Sequence, residues 1–70
     1  MLLKRAITKD GKHSIELDKI DDHNYQITET TCGVCRNRHN RNTMLSAYSG
    51  YLRCIIEAQV INNYDYREII

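Results

Sequence analysis

The chain has 70 residues, with ten lysine and arginine residues against nine acidic residues, and it lacks tryptophan, phenylalanine and proline. This length predicts one domain, residues 1–70, with a small core of aliphatic side chains and tyrosine. The longest apolar runs have three residues, which excludes a membrane-spanning helix, and no apolar segment of a secretory signal follows the first charges. We therefore expect a cytoplasmic protein without a membrane partner.

The N-terminal part of the chain predicts an antiparallel sheet of three strands over about residues 2–31. Apolar and polar side chains alternate there with the period of a half-buried strand, in residues 3–8, 13–20 and 25–31. The pair Asp10-Gly11 predicts a tight turn after the first strand, and the polar residues 21–24 predict a second turn. A three-strand meander is the simplest arrangement of these segments.

Two carboxylates of the second predicted strand, Glu16 and Asp18, are expected on one face of it. There they would form a negative edge that docks on a basic surface of a partner. An ordinary exposed strand face is the alternative interpretation.

Residues 32–42 predict a polar loop, with or without a short added strand. The loop holds three arginines directly before a predicted helix N-terminus, where free amides favour anions. Arginine binds carboxylate or phosphate through two parallel hydrogen bonds. We therefore predict a partner-binding segment made of Arg36, Asn37, Arg38, Asn40 and Arg41.

A helix is predicted over about residues 43–63, with Asn42 or Thr43 as its N-cap. Its apolar stripe contains Met44, Tyr48, Tyr51, Leu52 and Ile55, widened by Leu45, Ile56 and Ala58. We expect the stripe to cover the sheet, with Tyr48, Leu52 and Ile55 buried against Ile7, Ile15, Leu17 and Ile27. The tail, residues 64–70, suits a last strand, a helical extension or a partner-binding segment. The predicted fold class is α+β, with a small antiparallel three- to four-stranded sheet in βββα order packed against one C-terminal helix.

The three cysteines suggest a metal site. Cys32 and Cys35 have the spacing of a zinc-binding turn, and His39 follows four residues later. Zinc would be the cofactor, with Cys54 of the helix as the fourth ligand and His23 as its substitute. The alternative is three free thiols, with Cys54 packed as a small apolar residue.

No nucleophile elbow, P-loop, dinucleotide-binding or metalloprotease motif is present, so we do not expect an enzyme. We predict a binding protein, an inhibitor or adaptor, that occupies a surface of a larger protein. Phages and other mobile elements encode small proteins of this kind. The main alternative is a metal-supported nucleic-acid-binding module that uses the Cys/His residues and the arginines. A structural subunit that oligomerises through its tail is a third, and the oligomeric state is left open.

Overall fold

The computed structural model describes all 70 residues as one antiparallel sheet with one helix on it. The strand order in the sheet is β4-β3-β2-β1-β5. The α+β class and the single dominant helix are confirmed, and the sheet has five strands instead of three or four. The elements are β1 (Leu2–Thr8), β2 (His13–Asp21), β3 (Asn24–Thr31), β4 (Val34–Arg41), α1 (Met44–Asn62) and β5 (Tyr66–Glu68).

The first two turns lie where the sequence predicts them. The amide of Gly11 donates to the Thr8 carbonyl at 2.9 Å, and the Thr8 hydroxyl donates to the Asp10 carboxylate at 2.7 Å. In the second turn, the Asp21 carboxylate accepts a hydrogen bond from the His23 amide at 2.9 Å. Side-chain bonds of this kind give the backbone a turn-like path, and they explain why aspartate stands at both positions.

Residues 32–42 do not form a simple loop. The alternative of an added strand is present, and this strand has eight residues instead of being short. Cys32 and Gly33 have φ angles of 51° and 80°, and Thr31 pairs with Val34, which defines a two-residue hairpin turn. The next eight residues then continue as β4, paired with β3. The turn was missed because Cys-Gly is not one of the pairs that usually marks such a hairpin.

The helix begins after Thr43, whose hydroxyl accepts a hydrogen bond from the Ser46 amide at 3.1 Å. Thr43 is therefore the N-cap. At the other end Asn63 takes a left-handed conformation with φ 57° and closes the helix. The tail then forms β5, which pairs antiparallel with β1. Helix α1 lacks the sustained apolarity that a membrane-crossing helix needs.

The core lies between α1 and one face of the sheet, but the helix is rotated from its predicted orientation. Ile15, Leu17 and Ile27 are fully buried as predicted, and Tyr51 is the large helix residue that covers them. Leu52, by contrast, keeps 36% of its surface exposed. The remaining members of the predicted core, Ile7, Tyr48 and Ile55, are only half-buried.

Small residues explain this rotation. Ala47 and Ala58 are buried on the same helix face as Tyr51. A Cβ atom at Gly50 would lie 2.8 Å from the Cδ1 atom of Ile27, so the helix approaches the sheet closely there. The predicted orientation placed the largest apolar residues of the helix against the sheet. Close approach of the helix to the sheet instead favours the smallest residues at the contact.

Candidate functional site

The arginines of the predicted loop lie on an edge strand of the sheet. β4 pairs with β3 on one side only, so its other edge has no partner strand. Most of its residues are exposed, and none of its three arginines forms an ion pair. An unpaired edge of eight residues offers free amides and carbonyls, which arginine side chains protect from nonspecific pairing.

The predicted partner-binding residues of β4 divide between two faces of the sheet. Arg38 and Asn40 pair with Thr28 and Gln26, which places them on the face that carries no helix. We call this face the open face.

The other three residues lie elsewhere. Arg41 points to the helix, and a Cβ atom added at Gly50 would lie within 3.6 Å of its guanidinium group. Asn37 shares that side of the strand, and Arg36 stands at an irregularity in the β3–β4 register. The structure therefore does not assemble the five residues into one patch.

The open face also contains the predicted acidic pair. Glu16 and Asp18 pair with Thr28 and Gln26 of β3, so they lie two strand spacings from Arg38, roughly 10 Å. Glu16 lies 3.4 Å from the Arg5 guanidinium, whereas Asp18 forms no ion pair. The open face therefore carries basic side chains at its β4 edge and acidic side chains in its middle, on β2. The sequence motifs, considered separately, did not show this arrangement.

The outer side of α1 carries an apolar stripe that includes Leu45, Leu52 and Ile56, which the sequence analysis assigned to the core-facing side, and also Val60. Its members recur at helical spacing and are well exposed, with Leu45 at 79%, Ile56 at 57% and Val60 at 74%. Leu52 completes the stripe. Scattered exposed apolar residues are normal, but Leu52, Ile56 and Val60 follow one another on successive turns, and such a row on one helix face is a feature of contact surfaces.

One cluster of potential metal ligands connects β3, β4 and α1. The His39 Nε2 atom lies 2.9 Å from the Glu29 carboxylate, and Cys54 of the helix completes the group. One ligand atom from each residue lies within 4.8 Å of the others, and all three side chains are half-buried. We call this group the Glu-His-Cys cluster.

Burial raises the pKa of the Cys54 thiol to about 11. The carboxylates of Glu29 and Glu57 contribute to this rise in pKa, and Arg41 and Arg53 partly offset it. The thiol is therefore protonated at neutral pH in the metal-free protein.

The structure brings together two members of the predicted zinc set and separates the other two. His39 and Cys54 meet in the Glu-His-Cys cluster, whereas Cys32 and Cys35 are exposed at the β3–β4 turn and at the start of β4. Glu29 is the member of the cluster that the predicted zinc set did not include. Strand alternation places it on the same face as Tyr25 and Ile27, so the sequence pattern contained its position.

Comparisons with family models, with curated proteins and with solved structures find no match for this chain.

Proposed function

We propose that the protein is a non-enzymatic binding protein, an inhibitor or adaptor, that occupies an acidic surface of a larger protein. The observation that carries this proposal is β4, an unpaired edge strand with three arginines that have no acidic partner within the chain. Unpaired guanidinium groups on an open edge favour carboxylates that a partner supplies.

The edge strand suggests how a partner would bind. An extended segment can add to a sheet edge through backbone hydrogen bonds, and side chains on alternate positions then give specificity. At β4 those positions belong to Arg38 and Asn40 on the open face and to Asn37, His39 and Arg41 on the other. An acidic extended segment fits this pattern best.

Two features favour a protein over nucleic acid as the partner. The exposed stripe of Leu45, Leu52, Ile56 and Val60 suits a protein surface, because apolar contacts contribute to protein interfaces. Glu16 and Asp18 lie roughly 10 Å from Arg38 and would repel a phosphate backbone that crosses the open face. A metal-supported nucleic-acid-binding module is the alternative, supported by the same arginines.

The proposal retains a cytoplasmic setting, which suits three unpaired thiols, and an origin in a phage or another mobile element.

Charge reversal on β4 tests the proposal. Arg41 is half-buried against the helix, so the variant is limited to Arg36→Glu with Arg38→Glu, both at exposed positions. The matched control is Lys9→Glu with Arg67→Glu, which changes the net charge equally at exposed positions away from β4. Tagged wild type, variant and control are used to capture proteins from lysate with and without nuclease treatment, and each captured protein is quantified by mass spectrometry.

We expect one protein to be captured by the wild type and the control and lost with the β4 variant, because the contacts to its carboxylates become repulsions. Melting curves should coincide, since exposed substitutions usually change stability by about 0.5 kcal/mol or less. Equal capture by the β4 variant would contradict the proposal. Capture that disappears on nuclease treatment, with a steep log-linear dependence on salt, would favour the nucleic-acid alternative.

A further inference from the structure

We propose that Glu29, His39 and Cys54 bind one divalent metal ion, zinc by their chemistry. The site goes beyond the proposed binding function, because it concerns how β3, β4 and α1 are held together. Each of these elements supplies one ligand.

The geometry requires only a small contraction. Zinc lies about 2.3 Å from sulfur and about 2.0–2.2 Å from nitrogen and oxygen, so donors of a tetrahedral site are roughly 3.5 Å apart. The donor atoms of the Glu-His-Cys cluster lie within 4.8 Å of one another, and one pair is already at 2.9 Å. The His39–Glu29 pair would open by about 0.5 Å, and the sulfur of Cys54 would move inward by about 1 Å through side-chain rotation. Zinc would displace the thiol proton of Cys54 and the proton between His39 and Glu29, and both protons would be released to solvent.

The donor set selects the metal. One sulfur, one imidazole nitrogen and one carboxylate oxygen suit zinc, whereas calcium and magnesium bind oxygen ligands almost exclusively. Three protein ligands leave a fourth position for water or for a side chain of a binding partner. Of the three ligands, Glu29 also lines a cavity of about 210 Å³, together with Arg36, Asn37 and Tyr66.

A metal ion at this position has a structural consequence. β4 is attached to the rest of the sheet through β3 alone. A metal that joins His39 to Cys54 would fix this strand directly to the helix, as structural zinc does in domains whose core is too small. The edge strand would then be held in place for partner binding.

The competing interpretation is an ordinary His39–Glu29 hydrogen bond beside a cysteine packed as a small apolar residue. Both interpretations include the same close approach of the three side chains. They differ in one measurable property, because only a metal site binds an ion stoichiometrically through the sulfur of Cys54.

Cobalt titration separates the two interpretations. Co²⁺ occupies zinc sites and gives visible absorption in tetrahedral geometry, with a charge-transfer band when a thiolate is bound. The full chain is titrated with Co²⁺ alone and then with Zn²⁺, as wild type and as the variants Cys54→Ser, His39→Gln and Glu29→Gln. The matched control is Cys32→Ser with Cys35→Ser, which removes two exposed thiols outside the cluster.

We expect one Co²⁺ per wild-type chain, a charge-transfer band that Zn²⁺ displaces, and the same result for the Cys32/Cys35 control. Cys54→Ser should abolish the band, and the other two variants should weaken Co²⁺ binding by about tenfold or more. Loss of the band in the control, or its survival in Cys54→Ser, would assign the ion to the exposed cysteines and overturn the proposal.

A second measurement on the wild type avoids variants that fail to fold. Alkylation is followed by peptide mass spectrometry with and without one equivalent of Zn²⁺. We expect Zn²⁺ to protect Cys54 and to leave the alkylation of Cys32 and Cys35 unchanged. Equal alkylation of Cys54 with and without Zn²⁺ would rule the site out.

Discussion

Tyr51 and Leu52 are neighbours on the helix and have opposite roles in the structure. Tyr51 is fully buried in the core, whereas Leu52 keeps 36% of its surface exposed. The contrast follows from Gly50, the residue before Tyr51. Because Gly50 has no side chain, the helix backbone at this position lies directly against Ile27. A ranking of helix residues by hydrophobicity alone would reverse the two roles, because leucine is the more apolar side chain.

This contrast predicts different costs of truncation. Tyr51→Ala should destabilise the protein by about 3–5 kcal/mol, because it removes a large buried aromatic side chain. Leu52→Ala should cost about 1 kcal/mol or less, since its side chain already contacts water. Chemical denaturation of both variants measures the difference.

Tyr51→Phe serves as the control for the first change. The buried Tyr51 hydroxyl has the Glu68 carboxylate near it but no hydrogen bond of good geometry, so its removal should change stability by about 1 kcal/mol or less. A larger loss for Leu52→Ala than for Tyr51→Ala would contradict the observed rotation of the helix.

At the scale of elements, hydrophobic alternation identified β1, β2 and β3, and the helical period identified α1. β4 could not be found in this way, because its sequence VCRNRHNR has no apolar alternation and both of its faces are largely exposed. β5 has only three residues, too few for a pattern. Of the candidate metal site, the sequence predicts His39 and Cys54. Strand alternation gives the face on which Glu29 lies, but its contact with His39 depends on the pairing of β3 with β4, which the sequence does not predict.

The β3–β4 turn carries its own prediction. Cys32 has a left-handed backbone conformation, which costs a residue with a Cβ atom about 1 kcal/mol and which asparagine adopts more readily. Cys32→Asn should therefore stabilise the protein by about 0.5–1 kcal/mol in urea denaturation.

The control for this change is Cys35→Asn, which replaces the other exposed thiol outside the turn. It should alter stability by about 0.5 kcal/mol or less. Equal effects of the two changes would mean that the turn conformation of Cys32 carries no strain.

At the scale of the whole molecule, the two turn aspartates predict sensitivity to acid. Hydrogen bonds from Thr8 and the Lys12 amide lower the pKa of Asp10, and bonds from the His23 amide and the Asn24 side chain lower the pKa of Asp21. Both folded-state pKa values lie below the ordinary value of 3.8. The unfolded chain therefore binds more protons, and stability is lost as pH falls below that value.

Asp10→Asn with Asp21→Asn should flatten this dependence between about pH 5 and pH 2. The control, Asp18→Asn with Asp65→Asn, changes two aspartates that accept no hydrogen bond and form no ion pair. Urea midpoints measured across the range compare the three proteins. An acid slope that is reduced equally in both variants would mean that the turns are not its source.

The order of the strands also bears on how the chain folds. From β1 to β4 each strand pairs with the one that follows it, so these pairings close only short loops. β5 alone must return across most of the chain to reach β1, and only three residue pairs hold it there. Its backbone amides are therefore the ones most exposed to local opening, and hydrogen exchange would reach them before the central strands. We therefore expect the sheet edge opposite β4 to open at a lower free-energy cost than the central strands β2 and β3.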